Sequence, residues 1–282
     1  MNNVQVSIII VNYNTCAMTQ ECINSVLEKT KDISFEIILI DNASKDGSKE
    51  HFQKQEKEGK IRYVYSFENM GFGRANNVGM MLAKGEYFFL LNSDTLLVNN
   101  AVKEFYDYAK YKDVEGKYNF YGSWLLDKEG ETTVSYGHKK TLGSLLKMVV
   151  MWYIFHFFRK NNLESNCGGT LEVGSVSGAD MFFNRIIVDK YGGFDHAFFM
   201  YGEENEWQNR MPHYGIKSYI IEQPKIIHLE GRSSGSFGYS KTKEFSWGEI
   251  MNQKSNILYV KKNYNLISYV VFRFLFLILK FK

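Results

Sequence analysis

The sequence predicts an α/β protein: a mostly parallel central sheet with flanking helices, followed by a C-terminal apolar helix. Three observations carry this expectation. Val4–Val11, Phe35–Ile40, Ile61–Ser66 and Tyr87–Leu91 are near-continuous apolar runs rich in β-branched or aromatic residues, as in strands covered on both faces. Thr15–Leu27, Asp46–Lys57 and Arg74–Lys84 lie between them with helical spacing, the last closing at Gly85. Alternating strands and helices imply crossover connections and hence a parallel sheet. The third observation is the apolar stretch Leu266–Lys282, long enough for one further helix.

After Leu91 the pattern is less regular. Tyr118–Leu126 reads as a strand, Leu142–Phe158 as an apolar helical insertion, and Glu172–Phe183 as a strand with a glycine-containing turn. Ile216–Ile221 and Lys225–His228 read as two short strands, and Ile250–Tyr264 has helical spacing. The chain divides at about 234: residues 1–98 and 99–234 form two halves of one domain, with the insertion at 142–158 in the second, and 235–282 form a helical appendage.

A length of 282 residues suits one large domain with an appendage. An apolar fraction of 45% with 23% charged residues excludes a disordered chain. Cys16, Cys22 and Cys167 have no metal-ligand spacing and an odd count, which fits a reducing, cytoplasmic compartment. The opening residues are polar and give no signal-peptide pattern.

The net charge of +3 is unevenly spread. Thr132–Leu163 holds no acid but carries Lys139, Lys140, Lys147, Arg159 and Lys160; Ile250–Lys282 holds none but carries Lys254, Lys261, Lys262, Arg273, Lys280 and Lys282. These basic stretches are also the most apolar, which points to an anionic membrane surface rather than to nucleic acid. Arg273 interrupts Leu266–Leu279, so lying in the interface is favoured over spanning it. The expected location is the inner face of the cytoplasmic membrane. The alternative is that both apolar segments pack in the core or in a homodimer interface.

In parallel sheets of this kind ligands bind beyond the carboxyl ends of the strands. There the sequence sets Asn12-Tyr13-Asn14, Asp41-Asn42-Ala43-Ser44, Asn69 to Asn77 and Asn92-Ser93-Asp94. Asp94 directly after a buried strand can hold a hard divalent cation, although Asn-Ser-Asp-Thr is also good capping sequence. Asp41 can accept from a base N–H or a ribose hydroxyl, or simply close a turn. Gly71-Phe72-Gly73 lacks the third glycine of a dinucleotide fingerprint and follows the third strand, which excludes that site; a P-loop is absent. Glu203 and Glu204 follow the aromatic run Phe198–Tyr201, where partial desolvation suits a general base, and where acids also favour a helix start. His228 is a candidate metal ligand or phosphate donor at a strand end, or a structural histidine.

In order, these segments resemble the inverting family 2 glycosyltransferases, particularly the rhamnosyltransferase-like members that build bacterial surface polysaccharides. The resemblance runs through Val6–Asn14, Asp41–Ser48, Asn69–Asn77, Leu91–Thr95, Ser177–Met181, Gly192–Asp195, Tyr201–Glu204 and His228–Ser234. It covers roughly Val4 to Ser234 and leaves out Leu142–Phe158 and the last helix.

The resemblance implies a Rossmann-like glycosyltransferase A-type fold, with 1–98 binding the nucleotide sugar and 99–234 the acceptor. Val11, Asn12 and Tyr13 would line the nucleotide pocket, Asp41 would read the base, and Asn69, Asn76, Asn92 and Ser93 would help hold the nucleotide sugar. Asp94 and His228 would bind a divalent cation, Mn2+ or Mg2+. Glu204 would be the catalytic base, and Asp180 and Glu203 would face the donor sugar or acceptor. Asn92 stands where the stricter motif has its first acid, and Glu204 where the family usually has Asp. The expected partners are a nucleotide-diphosphate sugar and a glycan or lipid-linked saccharide. A nucleotidyltransferase would need a glycine-rich basic loop after the first strand, which Asn12–Thr15 lacks. A non-catalytic partner with this fold in a polysaccharide assembly complex is the alternative.

Overall fold

The structure is a computed structural model that describes residues 4–114, 116–147, 169–229 and 247–280. Its first part follows the expected alternation: β1 (Val6–Asn12), α1 (Cys16–Lys29), β2 (Phe35–Asp41), α2 (Ser48–Lys57), β3 (Arg62–Tyr65), α3 (Phe72–Leu82) and β4 (Tyr87–Asn92). Then come β5 (Thr95–Leu97), α4 (Ala101–Lys112), β6 (Phe120–Leu126), β7 (Tyr136–Gly137), β8 (Leu171–Val173), β9 (Ser175–Val176) and β10 (Asp180–Asn184). The remainder is α5 (Arg185–Tyr191), α6 (Glu203–Arg210), β11 (Ser218–His228), α7 (Trp247–Asn263) and α8 (Leu266–Lys280).

The main sheet has the order β3-β2-β1-β4-β10-β6-β11-β5, with β8 beside β11. β1 to β4 pair in parallel, and β10 enters antiparallel between β4 and β6. Residues alternate between two layers with the period of a strand. Val6, Ile8, Ile10, Phe89 and Leu91 face a core with Ile23 and Val26 of α1 and Phe105 of α4. Ile9, Phe88 and Leu90 face the other core with Met80 of α3 and Trp207 of α6. Phe182 stacks on Tyr87 at 5.3 Å and on Phe105 at 5.3 Å, which locks the antiparallel β10 to the parallel half.

Register decides what reaches the carboxyl edge. Asn12 pairs with Asp41, Asp41 with Tyr65, and Val11 with Asn92. β10 starts where β4 ends, since Asp180 pairs with Leu91. β11 finishes against β5, with His228 opposite Thr95. Residues far apart in sequence therefore arrive at one edge.

Several elements differ from the sequence expectation. Ile216–Ile221 and Lys225–His228 belong to one strand, β11, whose register shifts between Ile221 and Ile226; Pro224 sits in that irregular stretch, where its missing N–H costs no ladder bond. Glu172–Phe183 is three strands rather than one. β5 and α4 were not expected at all. Of the insertion 142–158, residues 142–147 are helical and the rest lies outside the described residues, as do Cys167 and the Glu230–Ser234 part of the last motif.

The C-terminal helices are packed onto the domain. Tyr259, Val260 and Phe272 form a small third core with Leu145 and Phe198. The opposite face of α8 leaves Leu266, Ile267, Val270, Val271 and Phe274 exposed. Among the described residues no helix is long and apolar enough to cross a membrane.

Candidate active site

The loops after β1, β2 and β3 are tied together by side chains that the sequence set at strand ends. Asn12 is fully buried; its Nδ2 donates to Ser44 Oγ at 3.0 Å, and its Oδ1 accepts from Thr15 Oγ1 at 2.8 Å and Thr19 Oγ1 at 2.9 Å. Asp41 is equally buried: Oδ1 accepts from Ser44 N at 2.8 Å and Oδ2 from Tyr63 Oη at 2.7 Å. Asn42 donates to Asn69 Oδ1 at 2.8 Å and accepts from Met70 N at 2.8 Å. Asn76 is buried and donates to Phe72 O at 3.1 Å. These bonds hold Asn14 and Ala43 at φ of 56° and 69°, backbone that side-chain-bearing residues rarely adopt. Tyr13 is exposed and Val11 half-buried beside them.

Ser93 joins this network to the next group, its Oγ lying 3.1 Å from Thr15 Oγ1. The turn from β4 to β5 buries Asp94 to 2% exposure, and Leu229 N donates to its carbonyl at 2.9 Å, which brings the end of β11 alongside. His228 Nε2 then lies 3.4 Å from Asp94 Oδ1 and 3.5 Å from Asn92 Nδ2. Asp180 is fully buried at the start of β10; one oxygen accepts from Ser123 N and Ser123 Oγ, both at 2.6 Å. Its other oxygen is buried with no hydrogen-bond partner among the described residues. Burial pushes the Asp180 carboxyl up to about 7, against the pull of the Ser123 bonds and of His228.

The acidic pair sits at a third place, the start of α6. Tyr201 at φ 65° and Gly202 at φ 87° turn the chain into the helix. Glu204 Oε2 accepts from Gly202 N at 3.1 Å and Oε1 from Asn205 Nδ2 at 3.0 Å. Glu203 is 2% exposed, and its Oε2 has no hydrogen-bond partner among the described residues. Burial, then the neighbouring Glu204, hold the Glu203 carboxyl well above the usual carboxylate range, and Lys140 opposes them.

The start of α3 connects this third place to the strand ends. Gly71 O accepts from Asn42 Nδ2 at 3.3 Å, and Phe72 N donates to Phe199 O at 3.1 Å. A Cβ at Gly71 would stand 2.0 Å from Phe199 O, and one at Gly73 would stand 3.5 Å from Glu203 Cγ. The two glycines thus let the Phe198–Glu204 segment close on α3, rather than cradling a phosphate.

The structure therefore gathers Asn92, Asp94, Asp180 and His228 at the meeting of β4, β10 and β11, and gathers Asn12, Asp41, Asn69 and Ser93 through shared bonds. It links Glu203 to α3 and keeps Glu204 on its own helix turn. Sequence reasoning missed Tyr63, Thr15, Ser123 and Lys140. Lys140, expected to flank the apolar insertion, donates from its ammonium to Asn256 Oδ1 at 3.1 Å, next to Gly202 at the start of α6.

No group of three or more His, Cys, Asp or Glu side chains comes together among the described residues. Asp94 and His228 supply two donors. That set fits a hard divalent cation, which completes its shell with water and substrate phosphate oxygens.

A parallel half-sheet, an inserted antiparallel strand and an acid turn after the fourth parallel strand define the glycosyltransferase A-type fold. Solved structures bear this out. Staphylococcus aureus TarS superposes with a TM-score of 0.55 at 16% identity, over 80% of this chain and 37% of that one. GalNAc-T7, solved with UDP, GalNAc and Mn2+, superposes with a TM-score of 0.62 at 17% identity, over 92% of this chain and 48% of that one. The chain belongs to Glycosyl transferase family 2, whose model matches residues 7–183. Among curated relatives, the glycosyltransferase GlyG of Streptococcus pneumoniae is 31% identical over 39% of this chain and 36% of its own. The poly(ribitol-phosphate) beta-N-acetylglucosaminyltransferase TarP of Staphylococcus aureus is 32% identical over 42% of this chain and 38% of its own. The matched stretch thus spans well under half the length of these relatives.

Proposed function

We propose that this chain is an inverting glycosyltransferase of the rhamnosyltransferase-like kind. It moves a sugar from a nucleotide-diphosphate sugar to a hydroxyl of a glycan or lipid-linked saccharide in bacterial surface polysaccharide synthesis. The observation that carries the reading is the approach of His228 to Asp94 at 3.4 Å, beside Asn92 and the buried Asp180, at the carboxyl end of β4. Family membership and the names of TarP and of a putative teichuronic acid biosynthesis glycosyltransferase, TuaG of Bacillus subtilis, support it.

Asp94 and His228 hold Mn2+ or Mg2+; when bound, such a cation neutralises charge that grows on a diphosphate leaving group. The likeness to GalNAc-T7, which was solved with UDP and Mn2+, supports this. The strand-end loops, with Val11, Asn12, Tyr13, Asp41, Asn69, Asn76, Asn92 and Ser93, take the nucleotide sugar. The Ser44 and Tyr63 bonds to Asp41 fix that carboxylate before a base arrives. Glu204 takes the proton of the acceptor hydroxyl. The freed oxygen bonds to the anomeric carbon, the bond from that carbon to the diphosphate breaks on the opposite face with its electron pair, and configuration inverts. Asp180 and Glu203, both pushed toward the neutral form by burial, offer hydrogen bonds to sugar or acceptor hydroxyls.

Glu204→Gln tests the role of the base. It should lower transfer by about 10²–10⁴-fold and leave binding of the nucleoside diphosphate unchanged. Ordinary turnover in this variant would put the base elsewhere. A non-catalytic fold partner is the second reading, favoured by Asn92 and Glu204 at positions where the family has aspartates. Metal-dependent hydrolysis of a nucleotide sugar by the wild-type chain would exclude it.

The exposed face of α8, with exposed Arg273 and the exposed Lys261 and Lys262 at the end of α7, supports peripheral docking on the inner face of the cytoplasmic membrane, where a lipid-linked acceptor is presented. Val270→Asp with Phe274→Asp should abolish flotation with anionic vesicles. Retained flotation would remove α8 from the contact, and loss of a dimer in solution would assign the face to a homodimer.

A further inference from the structure

Asn205 is the side chain that touches the proposed base. Its Nδ2 donates to Glu204 Oε1 at 3.0 Å, and Glu204 Oε2 accepts from Gly202 N at 3.1 Å, so each carboxylate oxygen is held once. Successive side chains on a helix point about 100° apart and do not ordinarily face each other. A bond between Glu204 and Asn205 therefore needs a hold from outside α6.

That hold comes from β9. Ser175 is buried, and its Oγ donates to Asn205 Oδ1 at 2.9 Å. The amide then has one orientation: a carboxylate accepts and does not donate, so Nδ2 faces Glu204 and Oδ1 faces the hydroxyl. β9 is itself fixed to α6 one turn further on. Val176 N donates to Gln208 Oε1 at 2.8 Å, and Gln208 Nε2 donates back to Val176 O at 3.0 Å. Gly137 of β7 leaves room for the contact, since a Cβ there would stand 2.7 Å from Ser175 Oγ and 2.9 Å from Asn205 Oδ1. Three segments, β7, β9 and α6, thus meet at one amide, and Glu204 lies at its far end.

We propose that Asn205 is a positioning residue for the base, itself set by Ser175: the chain of hydrogen bonds from Ser175 through Asn205 holds the Glu204 carboxylate in the direction from which it meets the acceptor hydroxyl. The inference rests on the reading of Glu204 as the base, and deepens it. Held by Gly202 N alone, the carboxylate swings about that single bond. A reacting group displaced by about 1 Å loses on the order of 10²-fold in rate.

The test separates position from packing. Asn205→Asp keeps the size of the side chain and an acceptor for Ser175 Oγ, but turns an oxygen instead of a donor toward Glu204. In the full chain with Mn2+, release of nucleoside diphosphate from a panel of UDP-, GDP- and dTDP-sugars is followed, with water in place of the acceptor hydroxyl. Asn205→Asp and Asn205→Ala should each lower kcat by about tenfold to 10²-fold and leave KM for the nucleotide sugar unchanged. An unchanged kcat, or a raised KM with kcat kept, would overturn the proposal and leave Asn205 a packing residue. Adding Asn205→Ala to Glu204→Gln should cost nothing further, because the group it positions is gone; a second full loss there would contradict the proposal.

A crystal structure of Asn205→Ala decides the point where hydrolysis is too slow to follow. The Glu204 carboxylate should leave its wild-type place by about 1 Å or more; a carboxylate still seated on Gly202 N in the wild-type rotamer would overturn the proposal equally. If Asn205→Ala does not fold, Ser175→Ala breaks the chain one bond earlier and is read in the same two ways. Failure of the base assignment has a different signature: Glu204→Gln would keep its turnover while the carboxylate still moved in Asn205→Ala.

Discussion

Asn12 and Asp41 on one side of the site, Asp180 and Glu203 on the other, are withdrawn from water to the same degree. Their bonding is not the same. Asn12 and Asp41 spend their side-chain oxygens on Thr15, Thr19, Ser44 and Tyr63, so the strand-end loops are set before any ligand arrives. Asp180 and Glu203 each keep one buried oxygen with no hydrogen-bond partner among the described residues, and both carboxyls are driven toward the neutral form. A buried polar group without a partner costs stability, and folds retain one where it does something else. The difference teaches that the strand-end side is fixed by its own hydrogen bonds, while the acid side keeps buried hydrogen-bonding capacity unspent among the described residues.

That contrast can be broken in order of effect. Gly71→Ala strikes the junction of the two sides. Its φ of 83° and a Cβ 2.0 Å from Phe199 O leave no room, so it should cost about 3 kcal/mol or more in urea unfolding. An unchanged midpoint would mean that the Phe198–Glu204 segment does not need α3.

The next two substitutions should have opposite signs. Tyr63→Phe leaves Asp41 buried with one partner fewer and should cost about 2 kcal/mol. Asp180→Asn removes a carboxyl whose folded pKa is raised. Below pH 4 both folded and unfolded states are protonated, and the variant should match wild type. As pH rises from 4 to about 7 the unfolded acid ionises first, so wild-type stability falls through that window. At pH 8, in chelator, Asp180→Asn should therefore be more stable, by on the order of 4 kcal/mol, while transfer declines. A stability loss at pH 8 would place Asp180 with the structural groups. Smallest is Ser44→Ala, which deletes bonds to Asn12 and Asn14 and should cost about 1 kcal/mol with little change in turnover.

What the sequence revealed follows the same division. The parallel half was legible because Ile8–Ile10, Ile37–Ile40 and Phe88–Leu91 are buried on both faces and leave no alternation to misread. β5 was not, since three residues carry no period, and β8 to β10 merged into one reading because the turns between them are a single glycine and a Ser-Gly-Ala step. Asp94 and His228 stood out as polar residues ending apolar runs. Nothing local marked Lys140: the groups its ammonium meets, Gly202 and Asn256, lie more than sixty positions away, and its neighbours Lys139 and Thr141 give it the look of a basic flank.

The account stands or falls on the division of labour between Asp94 and Glu204. Calorimetric titration of a panel of nucleoside diphosphates, with and without Mn2+, into wild type, Asp94→Asn and Glu204→Gln measures it directly. The account predicts Mn2+-dependent binding in wild type and Glu204→Gln, and its loss in Asp94→Asn. Mn2+-dependent binding that survives in Asp94→Asn, or vanishes in Glu204→Gln, would contradict it.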